Sequence, residues 1–172
     1  LITVGGAPCY RGMLQPDALF PAGMEIPLTE DAPKVASEEE FRFGYLVRIS
    51  EEAVMDGHAE GRFSATHFRY PTVYGPRQIT PKIWAIMRRF MDRRPYIVLP
   101  DGGLSLVTRG YSENVAHAVL LAAQQPDIAG GQIYNCGDEQ QFTLAQWIEV
   151  VGQEMGGTIE VIGVPDKYAY SS

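Results

Sequence analysis

The residues best suited to meet a ligand are concentrated in Phe63 to Gln78, FSATHFRYPTVYGPRQ. Phe63 to Tyr70 is a short, nearly uncharged run of β-formers and small residues, which predicts a strand. Pro71 cannot donate to a ladder and ends it. Thr72-Val73-Tyr74-Gly75-Pro76-Arg77 then reads as a turn rich in chain breakers, with one cation at its exit. In an open parallel sheet, ligands lie in the crevice outside the carboxyl ends of the strands. A strand ending in this way is a ligand-contacting edge, or else a strand with a plain turn after it. His58, His67 and His117 lack the spacing of metal ligands, and no metal site is expected. No Ser-His-Asp arrangement is visible either. Cys9 and Cys136 stand far apart and read as thiols of a reducing, cytoplasmic setting.

Composition narrows the classes. The 172 residues suffice for a domain with its own core, and 45% hydrophobic with 20% charged is ordinary for a globular chain. A net charge of −7 argues against a dedicated nucleic-acid binder, whose footprint would be basic. No apolar run is long enough to span a bilayer, so no membrane partner is expected.

Three segments together carry a resemblance. RYPTVYGPRQ is similar to the strand-end motif of the extended short-chain dehydrogenase/reductases, the NAD-dependent epimerase/dehydratases that act mostly on nucleotide sugars. Upstream, FGYLVRISEEAVM resembles the helix bearing that family's Tyr-x-x-x-Lys and its trailing Glu-Glu-Ala. Downstream, RGYSENVAHAVLLAAQQP followed by GGQIYNCGD resembles its C-terminal helix-then-strand segment. The resemblance implies an α/β fold: the later strands of a doubly wound parallel, Rossmann-type sheet plus a small C-terminal substrate lobe. It implies that residues 1–78 are the second half of the NAD(P)-binding domain. Residues 79–172 are then mainly the substrate-binding lobe, with interleaved Rossmann elements.

The family's catalytic positions are unusual here. Registered on Glu51-Glu52-Ala53, Phe43 stands in the Tyr position and Val47 in the Lys position. Phe has no proton to give, and Val carries no charge. Gly5 and Gly6 occupy the place of the family's hydroxyl pair, with Tyr10 matching its later Tyr. A shift of two residues finds Tyr45 with Arg48 at i+3, on one helix face, where a permanent cation would depress a phenol pKa. The triad is therefore either lost or relocated to Tyr45 and Arg48. The resemblance assigns Gly5, Gly6, Pro71, Thr72 and Val73 to the cofactor, NAD or NADP, and Tyr74, Arg77 and Arg109 to the substrate. Thr72 stands where many relatives have Asn. A guanidinium forks onto phosphate, so Arg77 and Arg109 are expected to face one cleft.

No G-x-x-G-x-x-G loop occurs in the chain, nor the acidic residue that would hold the ribose. The first residue is Leu, and the apolar strand Leu1 to Val4 would lack neighbours. A companion N-terminal segment, or self-association through that edge, is therefore expected. The functional expectation is an epimerase/dehydratase-type protein with a nucleotide-sugar-like ligand and an atypical site. The alternative is a non-catalytic nucleotide or partner binder, with an RNA-associated relative the weaker form.

Stepping along the elements, Leu1–Val4 is a strand closed by Gly5-Gly6, and residues 7–37 form a Pro-rich loop. Glu38 to Gly57 is a helix, acidic in its first turn, with Phe43, Leu46, Val47, Ala53 and Val54 on one face and Gly57 as its C-cap. Thr80-Pro81 opens a helix with Ile83, Trp84, Met87, Phe90 and Met91 inward. Arg88, Arg89, Arg93 and Arg94 suit its carboxyl end. Strands follow at 96–99 and 104–108. A helix at 111–124, N-capped by Ser112, turns Val115, Ala118, Val119, Leu121 and Ala122 inward. Gln132–Cys136 is a strand. Thr143-x-x-Gln146 is a capping box before a helix facing inward through Leu144, Trp147, Val151 and Met155. Thr158–Val164 is a last strand.

Overall fold

The computed structural model describes residues 1–12, 19–24, 26–78 and 82–165. They form two compact units: Leu1–Val73 with Gly110–Gly137, and Tyr74–Arg109 with the segment from Asp138 onward.

The first unit is built on a three-stranded parallel sheet in the order β1-β2-β7, with β1 Ile2–Gly6, β2 Thr66–Tyr70 and β7 Ile133–Asn135. Its register runs Thr3↔His67 and Gly5↔Arg69 on one side, and Phe68↔Tyr134 on the other. β2 is central and therefore buried, and its first four residues are inaccessible to solvent. Its apolar side, Phe68, packs with Ala122 and Ala129 and is flanked by Ile2, Tyr70, Ala118, Val119 and Tyr134. The covering helix α3, Ser112–Gln124, is followed by the short α4, Pro126–Ala129. Gly5 and Gly6 lie inside β1, not in a loop after it, because both pair with β2. β2 starts at Thr66 and leaves Phe63 outside the ladder.

Helix α1, Glu38–Ala59, starts on Ser37, whose Oγ accepts from the Glu40 amide at 3.4 Å. Three glutamates in its first turn oppose the helix dipole. Phe41 interrupts the helical dihedrals. The expected apolar face is turned the wrong way: Phe43 is 59% and Leu46 41% exposed, whereas Gly44, Glu51 and Gly57 are buried. Close approach decides this. A Cβ on Gly44 would collide with the Pro8 carbonyl and lie 2.9 Å from Val35 Cγ2. Gly57 is within the helix, against the Phe63 ring, and Glu60 takes the C-cap position.

The second unit pairs β4, Tyr96–Pro100, in parallel with β9, Glu160–Val164. It also holds the antiparallel pair β5, Leu106–Val107, and β8, Phe142–Thr143. Helices α2, Lys82–Met91, and α5, Leu144–Glu154, cover Ile97 and Leu99 with Ile148, Ile86 and Phe90. Ile86 and Ile148 are the inward residues the sequence reading passed over, while Trp84 and Met91 are exposed. The expected Thr80-Pro81 helix start lies outside the described residues. Thr143 does form its capping box: Oγ1 accepts from the Gln146 amide at 3.2 Å, and Gln146 Oε1 from the Thr143 amide at 2.9 Å. Thr72–Tyr74 is a short strand, β3, rather than part of a turn. The chain passes from one unit to the other within β3, within β6, Arg109–Tyr111, and between Gly137 and Asp138. Tyr111, not Ser112, occupies the N-cap position of α3, and Leu121 faces outward, 41% exposed.

Candidate functional site

In the first unit the expected catalytic positions are brought to β1 by helix α1. A Cβ built on Gly5 would lie 3.5 Å from Val47 Cγ1 and 2.6 Å from His67 Nε2. The His67 imidazole is thus the nearest neighbour of the glycine in the hydroxyl position, and the apolar residue in the Lys position lies next to it. A Cβ on Gly6 would lie 2.9 Å from Pro8 Cδ. Phe43 points outward and is tilted against Phe41 at 6.2 Å. Tyr45 and Arg48 are together: the guanidinium carbon lies 5.0 Å from the phenol ring centre. Arg48 Nε also reaches Glu52 at 3.6 Å, too long for a hydrogen bond. Pro71, Thr72 and Val73 are half-buried at the carboxyl end of β2.

Beneath them lies a polar cluster that the sequence reading did not find. Arg69, on β2, forks onto Glu51 of α1 through Nε and Nη2, both at 2.7 Å, and both side chains are 1% exposed. Its Nη1 donates to Tyr10 Oη at 2.6 Å and to the Glu30 carbonyl at 2.7 Å. Tyr10 Oη donates to Asn135 Oδ1 at 2.6 Å, and Asn135 Nδ2 donates to the Leu28 carbonyl at 3.0 Å. Lys34 Nζ adds a 3.2 Å bond to Glu51. His67 stands 3.5 Å from Glu51 and 2.8 Å from Thr3 Oγ1. Burial pushes the Glu51 carboxyl up, but Arg69 and Lys34 outweigh it and hold the pKa below the usual value. Burial lowers the His67 pKa against the opposing pull of Glu51. Burial raises Tyr10, and raises the Cys9 thiol to about 11. This cluster ties loop residues 28–34 to β2, β7 and α1. Only a pairing hypothesis across elements could have revealed it, since Glu51 and Arg69 are 18 residues apart.

The second unit gathers Tyr74 and Arg109 on Trp147. The Arg109 guanidinium carbon lies 4.4 Å from the indole centre, and the Tyr74 ring stands edge-on to the indole at 5.2 Å. Arg109 Nη1 donates to the Val107 carbonyl at 2.9 Å, which fixes the side chain's direction. Burial lowers its pKa, with Tyr74 opposing, yet an arginine stays charged. Arg77 is exposed in a left-handed turn at φ 66, and the described contacts do not bring it to this cluster. Among the described residues no group of three or more His, Cys, Asp or Glu could hold a metal, and no helix is long and apolar enough to cross a membrane. Cys9 and Cys136 are thiols.

The model of the NAD dependent epimerase/dehydratase family matches residues 15–137. The chain belongs to that family. Among curated relatives, the uncharacterized protein YbjS of Escherichia coli (strain K12) is 28% identical over 121 residues, 67% of this chain and 35% of that protein. UDP-D-apiose/UDP-D-xylose synthase 2 of Arabidopsis thaliana is 33% identical over 82 residues, 47% of this chain and 21% of that protein. Two solved structures share the fold. The UDP-glucuronic acid 4-epimerase of Bacillus cereus in complex with NAD aligns with a TM-score of 0.75 and 17% identity, over 96% of this chain and 50% of that one. The dTDP-glucose 4,6-dehydratase of Bacillus anthracis in complex with NAD aligns at 0.73 and 17%, over 95% and 49%. The chain thus spans about a third or less of these curated relatives and half of these solved chains. As a member of the epimerase/dehydratase family it has the expected α/β fold with later strands of a Rossmann-type parallel sheet.

Proposed function

We propose that this epimerase/dehydratase-family protein binds a nucleotide-sugar-type ligand and NAD or NADP at an atypical site. The observation that carries the reading is the surroundings of Gly5: the His67 imidazole, with the apolar Val47 next to it, occupies the space beside the emptied hydroxyl position. With Phe43 turned outward, no proton carrier stands at the in-register positions. Gly5, Gly6, Pro71, Thr72 and Val73 are small or apolar groups at strand ends, suited to one face of a nicotinamide ring. Since the glycine-rich pyrophosphate loop is not among the 172 residues, this chain holds only that end of the cofactor. Tyr74 and Arg109 serve the ligand's uracil-type ring and phosphates, with Arg77 as a further anion contact.

If turnover occurs, Tyr45 is its acid–base group, with the Arg48 guanidinium beside its ring. The second reading, binding without turnover, rests on the same apolar Phe43 and Val47. Among the described residues β1 has a strand on one side only, β2, and Leu1 and Val4 are exposed, which supports assembly through that edge with a companion segment or another copy.

The test is titration calorimetry with UDP-glucuronic acid, followed by an epimerisation assay with NAD. Arg109→Ala should weaken binding by about 1.5–3 kcal/mol, the worth of a hydrogen bond to a charged group. Unchanged affinity removes Arg109 from the site. Turnover lost in Tyr45→Phe supports the relocated pair; binding without turnover in the parent chain selects the second reading.

A further inference from the structure

A second basic site stands at the far end of helix α2. Of the 14 lysines and arginines in a chain of net charge −7, four fall between Arg88 and Arg94. Arg88 is neutralised by Asp92, at 2.9 and 3.0 Å. The helix dipole accounts for Arg88 and Arg89 in the last turn. Arg93 and Arg94 lie beyond that turn. Both are exposed, and both line one open cavity of about 500 Å³ within the second unit. Among the described residues neither has an ion-pair partner. The cavity lining also includes the apolar Phe90, Met91, Pro95 and Met155, together with Thr158 and Gly156-Gly157, which carries no side chains. That volume, with apolar side chains and two cations in one lining, fits a small-molecule site.

The backbone gives an independent observation. Arg93 takes φ 53, in the left-handed region, just after the helix end. Glycine is the usual residue there, because a Cβ is unfavourable in that conformation. An arginine stands at a place where helix termination alone would favour glycine, and it lines the cavity.

We propose that this cavity binds a nucleoside diphosphate. The guanidinium groups of Arg93 and Arg94 fork onto the phosphate oxygens, and the base lies on Phe90, Met91 and Met155. The site is distinct from the Trp147–Arg109 cluster.

Calorimetry on the purified protein, with ADP and separately with inorganic pyrophosphate, tests this. Arg94→Gln and Arg93→Gly should each weaken ADP binding about tenfold or more. Arg93→Gly should at the same time leave the thermal midpoint unchanged or raised, because glycine relieves the left-handed strain. Arg88→Gln should leave the affinity unchanged. Tighter binding of ADP than of pyrophosphate supports the apolar lining residues as the base's seat; equal binding confines the site to the phosphates and overturns the nucleoside part. No heat with either probe at millimolar concentration, or equal affinity in the Arg93 and Arg94 variants, overturns the site. Binding lost in Arg109→Ala but kept in Arg94→Gln moves the anion elsewhere and also overturns it.

Discussion

The two units bury opposite chemistries. The first holds a charged pair at its centre, Glu51 with Arg69, surrounded by Tyr10, His67 and Lys34. The second closes on Ile97, Leu99 and Ile148, and carries its α2 arginines outside. Burying a charge is costly unless its partner and its remaining donors are all satisfied. The first unit therefore depends on completeness, so that losing one member strands the others. The second depends on volume, so that losing a methylene costs only that methylene and the cavity it leaves. The same contrast sets the behaviour toward acid, because His67, whose pKa burial lowers, belongs to the first unit.

The largest expected effect tests completeness. Glu51→Ala leaves the Arg69 guanidinium buried without its carboxylate and should destabilise the first unit by about 3–5 kcal/mol. Replacing both members, Glu51→Leu with Arg69→Met, should cost less than Glu51→Ala alone, since no charge is left stranded. Ile148→Ala in the second unit should cost about 2–5 kcal/mol through its cavity, with no comparable rescue by a second substitution. Hydrogen exchange resolves the two units separately in one experiment. A double replacement as harmful as Glu51→Ala would mean that packing, not pairing, holds the first unit.

Acid should divide the units next. Burial holds the folded His67 pKa below the ordinary 6.5; Glu51 opposes this, and Arg69 and Lys34 add to it. As the pH falls below 6.5 the unfolded chain takes up this proton first, so the stability present above 6.5 is progressively lost. The Glu51 pKa is also lowered, from 4.5, so its contribution persists above that value and fades as the pH falls below it. One group changes stability by at most about 1.4 kcal/mol per pH unit. Denaturation followed between pH 7 and 5 should show this slope in exchange of the β2 amides and not in those of β4, and His67→Gln should flatten it. An equal slope in both units would remove His67 as its source.

What could be read in advance follows the same division. Thr143 and Gln146 are three residues apart on one turn, so their types and spacing sufficed. Pro71 ended its strand for an equally local reason. The orientation of α1 was not legible from periodicity. Its large apolar residues Phe43 and Leu46 face outward, and its inward positions are held by Gly44, Glu51 and Gly57. A hydrophobic pattern scores such an inward face as polar, because its logic is close approach and ion pairing. Glu51 read as a trailing acid of the helix motif and Arg69 as one residue of a strand. Only the parallel register of β1 and β2, with α1 laid over them, places the carboxylate on the guanidinium. Arg109 and Tyr74 are expected from the sequence as substrate contacts and Trp147 only as core; the structure sets both against the Trp147 indole.

The smallest effect is also the most local, and it lies in the second unit. Thr143 satisfies one amide of the first turn of α5, and Gln146 returns the bond to Thr143 itself. Thr143→Ala removes the first bond and leaves the Gln146 amide to water, since both residues are on the accessible side. The expected cost is about 1 kcal/mol. Thr143→Asn or Thr143→Ser should recover most of it, because either side chain offers an oxygen at the same place. The loss should be confined to α5 and to its neighbour β8, which pairs Thr143 with Leu106, and should leave exchange of the β1 and β2 amides unchanged. A cost above about 3 kcal/mol, beyond the range of a cap, would show that the antiparallel pair β5–β8 depends on this hydroxyl, and that the second unit too rests on completeness rather than volume.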